Sequence, residues 1–263
     1  MEAIRVSGLD GSAIAVHLNG ATVTEWKNQR SDNAFFVSER SEWQEGRPIR
    51  GGIPLAFPQF AGDGPLPNHG LARTLPWTVA EQATGYIQLC LQESAASREL
   101  WPYAFDATYS VTFNASSFSS VLEITNPHAR AAGSAMQFQA LQHTYYQLDA
   151  VTTLQLSGLE GRTFLDKLTG KSPKQAPMTP LTIQAETDAI FVPSQNPRPV
   201  LLQLEGAPVI WNPWIAKSAA MADFGDEEYQ HMVCIEPGCV SQPVTLEPGA
   251  TFRLEQHITL LVC

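Results

Sequence analysis

Apolar and polar residues alternate with a period of two along much of this 263-residue chain. In 105–113, Phe105, Ala107, Tyr109, Val111 and Phe113 share one face, and Asp106, Thr108, Ser110 and Thr112 share the other. In 252–260, Phe252, Leu254, Ile258 and Leu260 alternate with Arg253, Glu255, His257 and Thr259. This is the spacing of a strand with one buried face, because successive side chains on a pleated backbone point to opposite sides. Shorter strand-like runs occupy 86–92, 119–125, 152–157, 181–185 and 200–204, and 232–235 reads as a buried strand. Gly, Pro, Asn or Asp punctuates most of the intervals between them. Many short strands, few helices and no βαβ rhythm predict an antiparallel all-β fold. A helix is expected over 213–224, with Asn212 as N-cap, Pro213 in the first helical position and Gly225 at the end. The four acids within 223–228 read as a solvated loop. No low-complexity linker divides the chain, so a single domain over 1–263 is expected.

Composition narrows the function classes. Hydrophobic residues make up 44% and charged residues 16%, enough apolar material for a sizeable core. The net charge is -10 and no basic run appears, so nucleic acid and anionic membrane are poor partners. No stretch reaches the eighteen apolar residues of a membrane span. The start, MEAIRVSGLDGS, lacks a basic segment followed by an apolar one, so a cytoplasmic protein is expected. Four cysteines (Cys90, Cys234, Cys239, Cys263) are too scattered for a disulfide framework, and Cys234 and Cys239 lack a second Cys/His pair at zinc-site spacing. No P-loop, dinucleotide fingerprint, nucleophile elbow or H-E-x-x-H is present, so neither an organic cofactor nor a metal is expected.

Against that negative charge, residues 50–73 stand out. They hold Arg50, Arg73, His69 and five glycines (Gly51, Gly52, Gly62, Gly64, Gly70), with prolines at 54, 58, 65 and 67. Such a segment cannot be a regular helix, but it can bring backbone and guanidinium groups close to an anion. An ordinary surface loop with two solvated arginines remains open on these residues alone. His143 lies in LQHTYYQL beside aromatic residues that could line a pocket, although a lone histidine beside tyrosines is more often structural than catalytic. Glu236 ends the apolar run 232–235 immediately before Pro237 and Gly238. There it is either a desolvated carboxylate with a raised pKa, suited to base catalysis, or an exposed acid at a strand end. Trp211 and Trp214 could stack on a sugar face or simply fill the core. Lys217 reads as well as helix-surface charge as it does a ligand contact. His17, His128, His231 and His257 carry no expected role.

Taken together, several blocks resemble the glucose-6-phosphate 1-epimerases of the aldose 1-epimerase superfamily. They are RPIRGGIPLAFPQF (47–60), PNHGLAR (67–73) with Trp77, LQHTYYQL (141–148), ETDAIF (186–191) and WNPWIAKSAAMADFGDEEYQHMVCIEPG (211–238), with weaker support from GLEGRTFLDK (158–167). The resemblance implies a large antiparallel β-supersandwich of the galactose mutarotase-like kind, with one or two short helices. It implies a cofactor-independent exchange of α and β anomers of an aldohexose 6-phosphate; a monomer is expected, though the sequence itself is silent on quaternary state. By that resemblance Glu236 is the general base on the C1 hydroxyl and His143 the general acid on the ring oxygen. His69 and Asp188 would bind sugar oxygens, and Arg50 and Arg73 would hold the phosphate. Two rival readings are an aldose 1-epimerase acting on unphosphorylated sugars and a sugar-phosphate-binding regulator without turnover.

Overall fold

The alternating segments become strands, and their inward positions become the core. The structure is a computed structural model that describes residues 2–27, 32–127, 134–192, 202–204 and 208–260. His128, Cys263 and positions 200 and 201 of the run 200–204 lie outside the described residues. The first strands are β1 (Ile4–Ser7), β2 (Ala13–His17), β3 (Thr22–Lys27), β4 (Leu55–Ala56), β5 (Thr78–Ala83) and β6 (Tyr86–Gln92). Next come β7 (Asp106–Phe113), β8 (Ser117–Thr125), β9 (Met136–Gln142), β10 (Tyr145–Gln147), β11 (Thr163–Asp166) and β12 (Ser172–Gln175). The remainder are β13 (Thr187–Phe191), β14 (Leu202–Leu204), β15 (Val209–Asn212), β16 (Met232–Glu236), β17 (Gly238–Leu246) and β18 (Thr251–Thr259). Helices are short: α1 (Ala95–Leu100) and α2 (Trp214–Ala220).

Two six-stranded sheets dominate, ordered β10-β16-β15-β13-β11-β12 and β14-β18-β8-β7-β6-β5. Two three-stranded sheets, β1-β2-β3 and β17-β9-β4, complete the molecule. Every pairing between these strands is antiparallel, as the absence of βαβ units requires. Two late strands are interior, one place in from an edge: β16 lies between β10 and β15, and β18 between β14 and β8.

Registered pairs such as Tyr109↔Leu122 and Leu254↔Leu122 carry the inward positions of β7, β8 and β18 into one core with Trp26, Phe57 and Trp77. Phe57 meets Trp101, Phe105 and Phe138 edge-on at 5.2–5.3 Å between ring centroids. Each such contact contributes roughly 0.5–1.5 kcal/mol beyond burial. Position 256 interrupts this apolar face, since Gln256 is fully buried yet polar. It is satisfied inside the core: Thr144 Oγ1 donates to Gln256 Oε1 at 2.9 Å, and Gln256 Nε2 donates to Ser120 Oγ at 3.1 Å.

Three local expectations change. The runs 152–157 and 181–185 are not strands; Val151–Thr153 is a 3-10 turn, and Leu156 and Leu181 form an isolated antiparallel bridge. Pro180 has no N–H to offer, and Gly158 takes φ 90°, so pairing stops at one residue on each side. The helix expected over 213–224 spans only Trp214–Ala220, with Pro213 rather than Asn212 in the capping position. Asn212 still serves its start, because Oδ1 accepts the Trp214 N–H at 2.9 Å. Beyond Ala220 the chain turns back, since the acids of 223–228 are not free in solvent. Asp223 pairs with Arg50, and Glu228 accepts hydrogen bonds from Ser38 Oγ, the Glu39 N–H and the Gly225 N–H.

Candidate active site

Two strand-to-strand passages create the pocket. The chain leaves β9 at Gln142 and enters β10 at Tyr145, moving from a three-stranded sheet to a six-stranded one. A second passage runs the other way, from β16 at Glu236 through Pro237 to β17. Both pairs of strands are registered, with Tyr145↔Cys234 on one side and Gly238↔Leu141 on the other. His143 and Glu236 therefore sit side by side on one seam between sheets.

The Arg-Gly-Gly-Ile-Pro stretch supports that seam from below. The His143 N–H donates to Pro54 O at 2.9 Å, and the Tyr145 N–H to Gly52 O at 2.9 Å. Close backbone approach explains the two glycines: a Cβ at Gly52 would lie 2.0 Å from Val23 O, and one at Gly51 2.4 Å from Val37 Cα. Both also hold positive φ, 131° at Gly51 and 64° at Gly52. On either side of His143, the buried side chains of Gln142 and Thr144 join the Gln256–Ser120 network, which fixes the histidine's backbone.

His143 Nε2 lies 3.4 Å from Glu236 Oε1, and Glu236 is 1% exposed. His143 Nδ1 and Glu236 Oε2 are buried without a hydrogen-bond partner. Unbonded polar atoms in a core cost about 1–3 kcal/mol each, so a pocket that keeps two of them is built to receive polar atoms. Burial, then the nearby Asp188 charge, pushes the Glu236 carboxyl well above its ordinary pKa, with Lys167 opposing. Burial, then Arg50 and Arg73, pushes the His143 imidazolium well below its ordinary value. Both shifts favour an uncharged pair that holds one shared proton, and such a pair titrates as a unit.

Aromatic faces define the walls. Tyr145 stacks on His143 at 4.7 Å and 14°, and Trp211 meets both rings edge-on. His69 lies 5.2 Å from His143, ring to ring. Its Nδ1 accepts the Ala61 N–H at 3.4 Å, which leaves the Nε2 proton to donate. Burial first, then His143, pushes His69 well below its usual pKa, so it serves as a neutral donor.

The charged residues divide unequally. Arg50 gives Nε and Nη2 to Asp223 at 3.1 and 2.9 Å and Nη1 to the Tyr145 hydroxyl at 3.1 Å. Burial works against its charge, but Tyr145 and Asp223 overcome that and raise the group above its ordinary value. Arg73 has no such partner: one Nη2 donates to Asn68 O at 2.6 Å, and its buried Nε has no acceptor. Burial and then Arg50 push its pKa down to about 10, so it still carries a charge at neutral pH. Asp188 pairs with Lys167 at 3.2 Å, and the same ammonium lies 4.7 Å from the centre of the Phe60 ring. Burial raises the Asp188 carboxyl, and Lys167 offsets part of that rise. Lys217 pairs with Glu186 at 3.3 Å and lies 5.9 Å over the Trp211 ring.

His143, Glu236, Arg50, His69, Arg73 and Asp188 thus converge on one region. Lys167, Tyr145 and Asp223 also belong to it, residues that the sequence does not single out. The spacing His143-x-Tyr145 was a usable signal, since residues two apart in an extended segment share a face. Nothing in the local sequence marks Lys167 or Asp223, whose partners are distant in the chain. Cys234 and Glu236 stand two apart on β16, and with His143 their ligand atoms lie within 4.8 Å of one another, a convergence that spacing along the chain does not show.

An antiparallel supersandwich with a buried carboxyl–imidazole pair ringed by aromatic and cationic side chains points to the mutarotase class. The chain belongs to the aldose 1-epimerase family, whose model matches residues 2–259. A plant relative from Cenchrus ciliaris, named "Putative glucose-6-phosphate 1-epimerase", is 29% identical over 96% of this chain and 83% of its own length. A protein of the same name from Escherichia coli K12 is 29% identical over 89% of this chain and 82% of its own. In three dimensions the fold is similar to a crystal structure described as a "putative mutarotase" from Salmonella typhimurium, with a TM-score of 0.84 and 24% identity over 97% of this chain and 88% of that one. Among the described residues, no helix is long and apolar enough to cross a membrane.

Proposed function

We propose that this epimerase interconverts the α and β anomers of an aldohexose 6-phosphate, glucose 6-phosphate first among them, with His143 and Glu236 as the acid–base pair. The observation that carries the reading is the buried pair itself, 3.4 Å apart and with an unbonded atom on each partner. Ring opening removes a proton from the C1 hydroxyl and delivers one to the ring oxygen. Glu236 accepts the first and His143 supplies the second. The bond from C1 to the ring oxygen breaks, the free aldehyde turns about C1–C2, and reclosure on its other face reverses both transfers. One shared proton suffices for the whole cycle, so no cofactor is needed. Positioned groups of this kind typically give about 10²–10⁴-fold per proton transfer.

A phosphate on the sugar fits the cations. Arg73 offers donors without a competing carboxylate, while Arg50 is held by Asp223 and Tyr145 and acts mainly to orient that wall. An anion beside them also offsets the two charges that hold His143 unprotonated, which shifts the shared proton toward the imidazole where it is needed. His69 and the Asp188–Lys167 pair are placed to bind sugar hydroxyls. Saturation-transfer NMR of anomer exchange tests the reading, with much faster exchange expected for glucose 6-phosphate than for glucose. Equal rates would favour a free-sugar epimerase, and no exchange with either would favour a binding protein. We also read residues 1–263 as one domain and the protein as a cytoplasmic monomer, in keeping with free thiols at Cys90 and Cys234. A single unfolding transition and a monomeric mass in solution are the expected results.

A further inference from the structure

We propose that His143, Cys234 and Glu236 form a site for a borderline-soft divalent cation, zinc foremost, and that its occupancy switches the pocket off. The blocking effect rests on the acid–base reading above, whereas the binding itself does not. Three features point to the site. First, the ligand types are those that zinc selects, namely one imidazole, one thiol and one carboxylate. Second, their ligand atoms lie within 4.8 Å of one another, so one point lies no more than about 2.8 Å from all three (4.8 Å divided by √3). Zinc bonds are roughly 2.0–2.3 Å long, and rotations of a few tenths of an ångström close the difference. Third, the pair is not saturated: His143 Nε2 and Glu236 Oε1 face each other at 3.4 Å, His143 Nδ1 and Glu236 Oε2 have no hydrogen-bond partner, and both residues are more than nine-tenths buried.

The fold makes this convergence unavoidable. Cys234 and Glu236 project from the same face of β16, and His143 precedes Tyr145, which is registered opposite Cys234. Three protein ligands leave a fourth position for water, the arrangement of an exchangeable metal rather than a closed structural one. Charge also balances, since a dication with one thiolate, one carboxylate and a neutral imidazole sums to zero. The thiol proton and the proton shared by the pair leave to solvent when the metal enters. Of the neighbouring cations, Arg50 is neutralised by Asp223 and Lys167 by Asp188, which leaves Arg73 as the main opposing charge. Metal and sugar need the same lone pairs, so they exclude each other.

Metal-free protein, prepared by dialysis against EDTA, is mixed with zinc chloride and passed through a desalting column. Elemental analysis should find about one zinc per chain, and cobalt(II) in its place should show a thiolate-to-metal charge-transfer band in the near ultraviolet. Anomer exchange should fall as zinc is added and return with EDTA. Cys234→Ser should keep its exchange in EDTA, lose the cobalt band and bind zinc at least about tenfold more weakly. No retained zinc in the wild type, the same zinc affinity in Cys234→Ser, or faster exchange with zinc would each overturn the proposal. Should neither sugar be turned over at all, zinc retention and the cobalt band still decide the site independently. If Cys234→Ser fails to fold, the cobalt spectrum of the wild type alone shows whether a thiolate ligates.

Discussion

Replacing Arg73 with methionine separates phosphate recognition from chemistry. Arg73 makes one hydrogen bond, to Asn68 O, and its Nε is buried without an acceptor. A charge-assisted hydrogen bond contributes roughly 1.5–3 kcal/mol, so losing one phosphate contact should raise KM for glucose 6-phosphate about 10- to 150-fold. KM for unphosphorylated glucose should be unchanged, although its pH profile should shift because Arg73 also helps to hold His143 unprotonated. Stability should not fall, because the substitution removes a buried charge that lacks a carboxylate partner. Arg50→Met should behave differently. It strips Asp223 of its partner and frees the Tyr145 hydroxyl beside His143, in a pair whose side chains are each 21% exposed. That exposure lies between the surface and buried limits, so a loss of about 1–3 kcal/mol is expected, with both sugars slowed. The assays are NMR exchange kinetics on both sugars and thermal unfolding. Equal damage to both sugars in Arg73→Met, or damage confined to the phosphorylated sugar in Arg50→Met, would refute this division of labour.

Four further outcomes are expected. Glu236→Gln and His143→Ala should each slow exchange at least about a hundredfold in folded protein; near-normal turnover in either would remove that residue from its role. Glu236→Gln should also raise Tm, increasingly so at higher pH. The folded carboxyl has a raised pKa, so wild-type stability is greatest below the ordinary carboxylate range and falls as pH rises through the shifted one, while glutamine does not titrate. A pH-independent Tm gap would count against the buried, desolvated carboxyl. Lys167→Met should move the acid limb of kcat/KM to higher pH, because this ammonium lowers the pKa of both Glu236 and His143, and Lys167→Arg should restore it. Exchange should survive EDTA or phenanthroline; loss restored by added metal would overturn the proton-transfer scheme.

Much of the fold was legible because one-sided burial writes a period of two into a strand, as in β7, β8 and β18. Where pairing is too short to need that period, it misleads. Leu156 and Leu181 alternate like strand residues but meet in one bridge. Gln256 sits on the apolar face for a reason only its partners reveal, namely Gln142, Thr144 and Ser120 from other strands. The site was legible where chemistry is local: a histidine among tyrosines, a glutamate ending an apolar run, arginines beside paired glycines. It was illegible where charge is balanced at a distance. Asp223 reads as solvated acid until Arg50, 173 positions earlier, is seen to bind it.

The interior placement of β16 and β18, the last strands of the large sheets, sets the order in which the fold can close. Residues 232–259 supply β16 and β18, one strand in from an edge of each large sheet, and β17 of a small one, and they carry Glu236 to the seam. Until they emerge during synthesis, β10 lacks β16, β8 lacks its long partner β18, and His143 faces no carboxyl. Contacts of such long sequence separation close slowly, and the edges they cover stay open until they do. The halves of the pocket therefore cannot mature separately. The carboxyl–imidazole pair forms in one late step with the closing of the sheets, and a chain shortened by its final thirty or so residues would lose core and pair together.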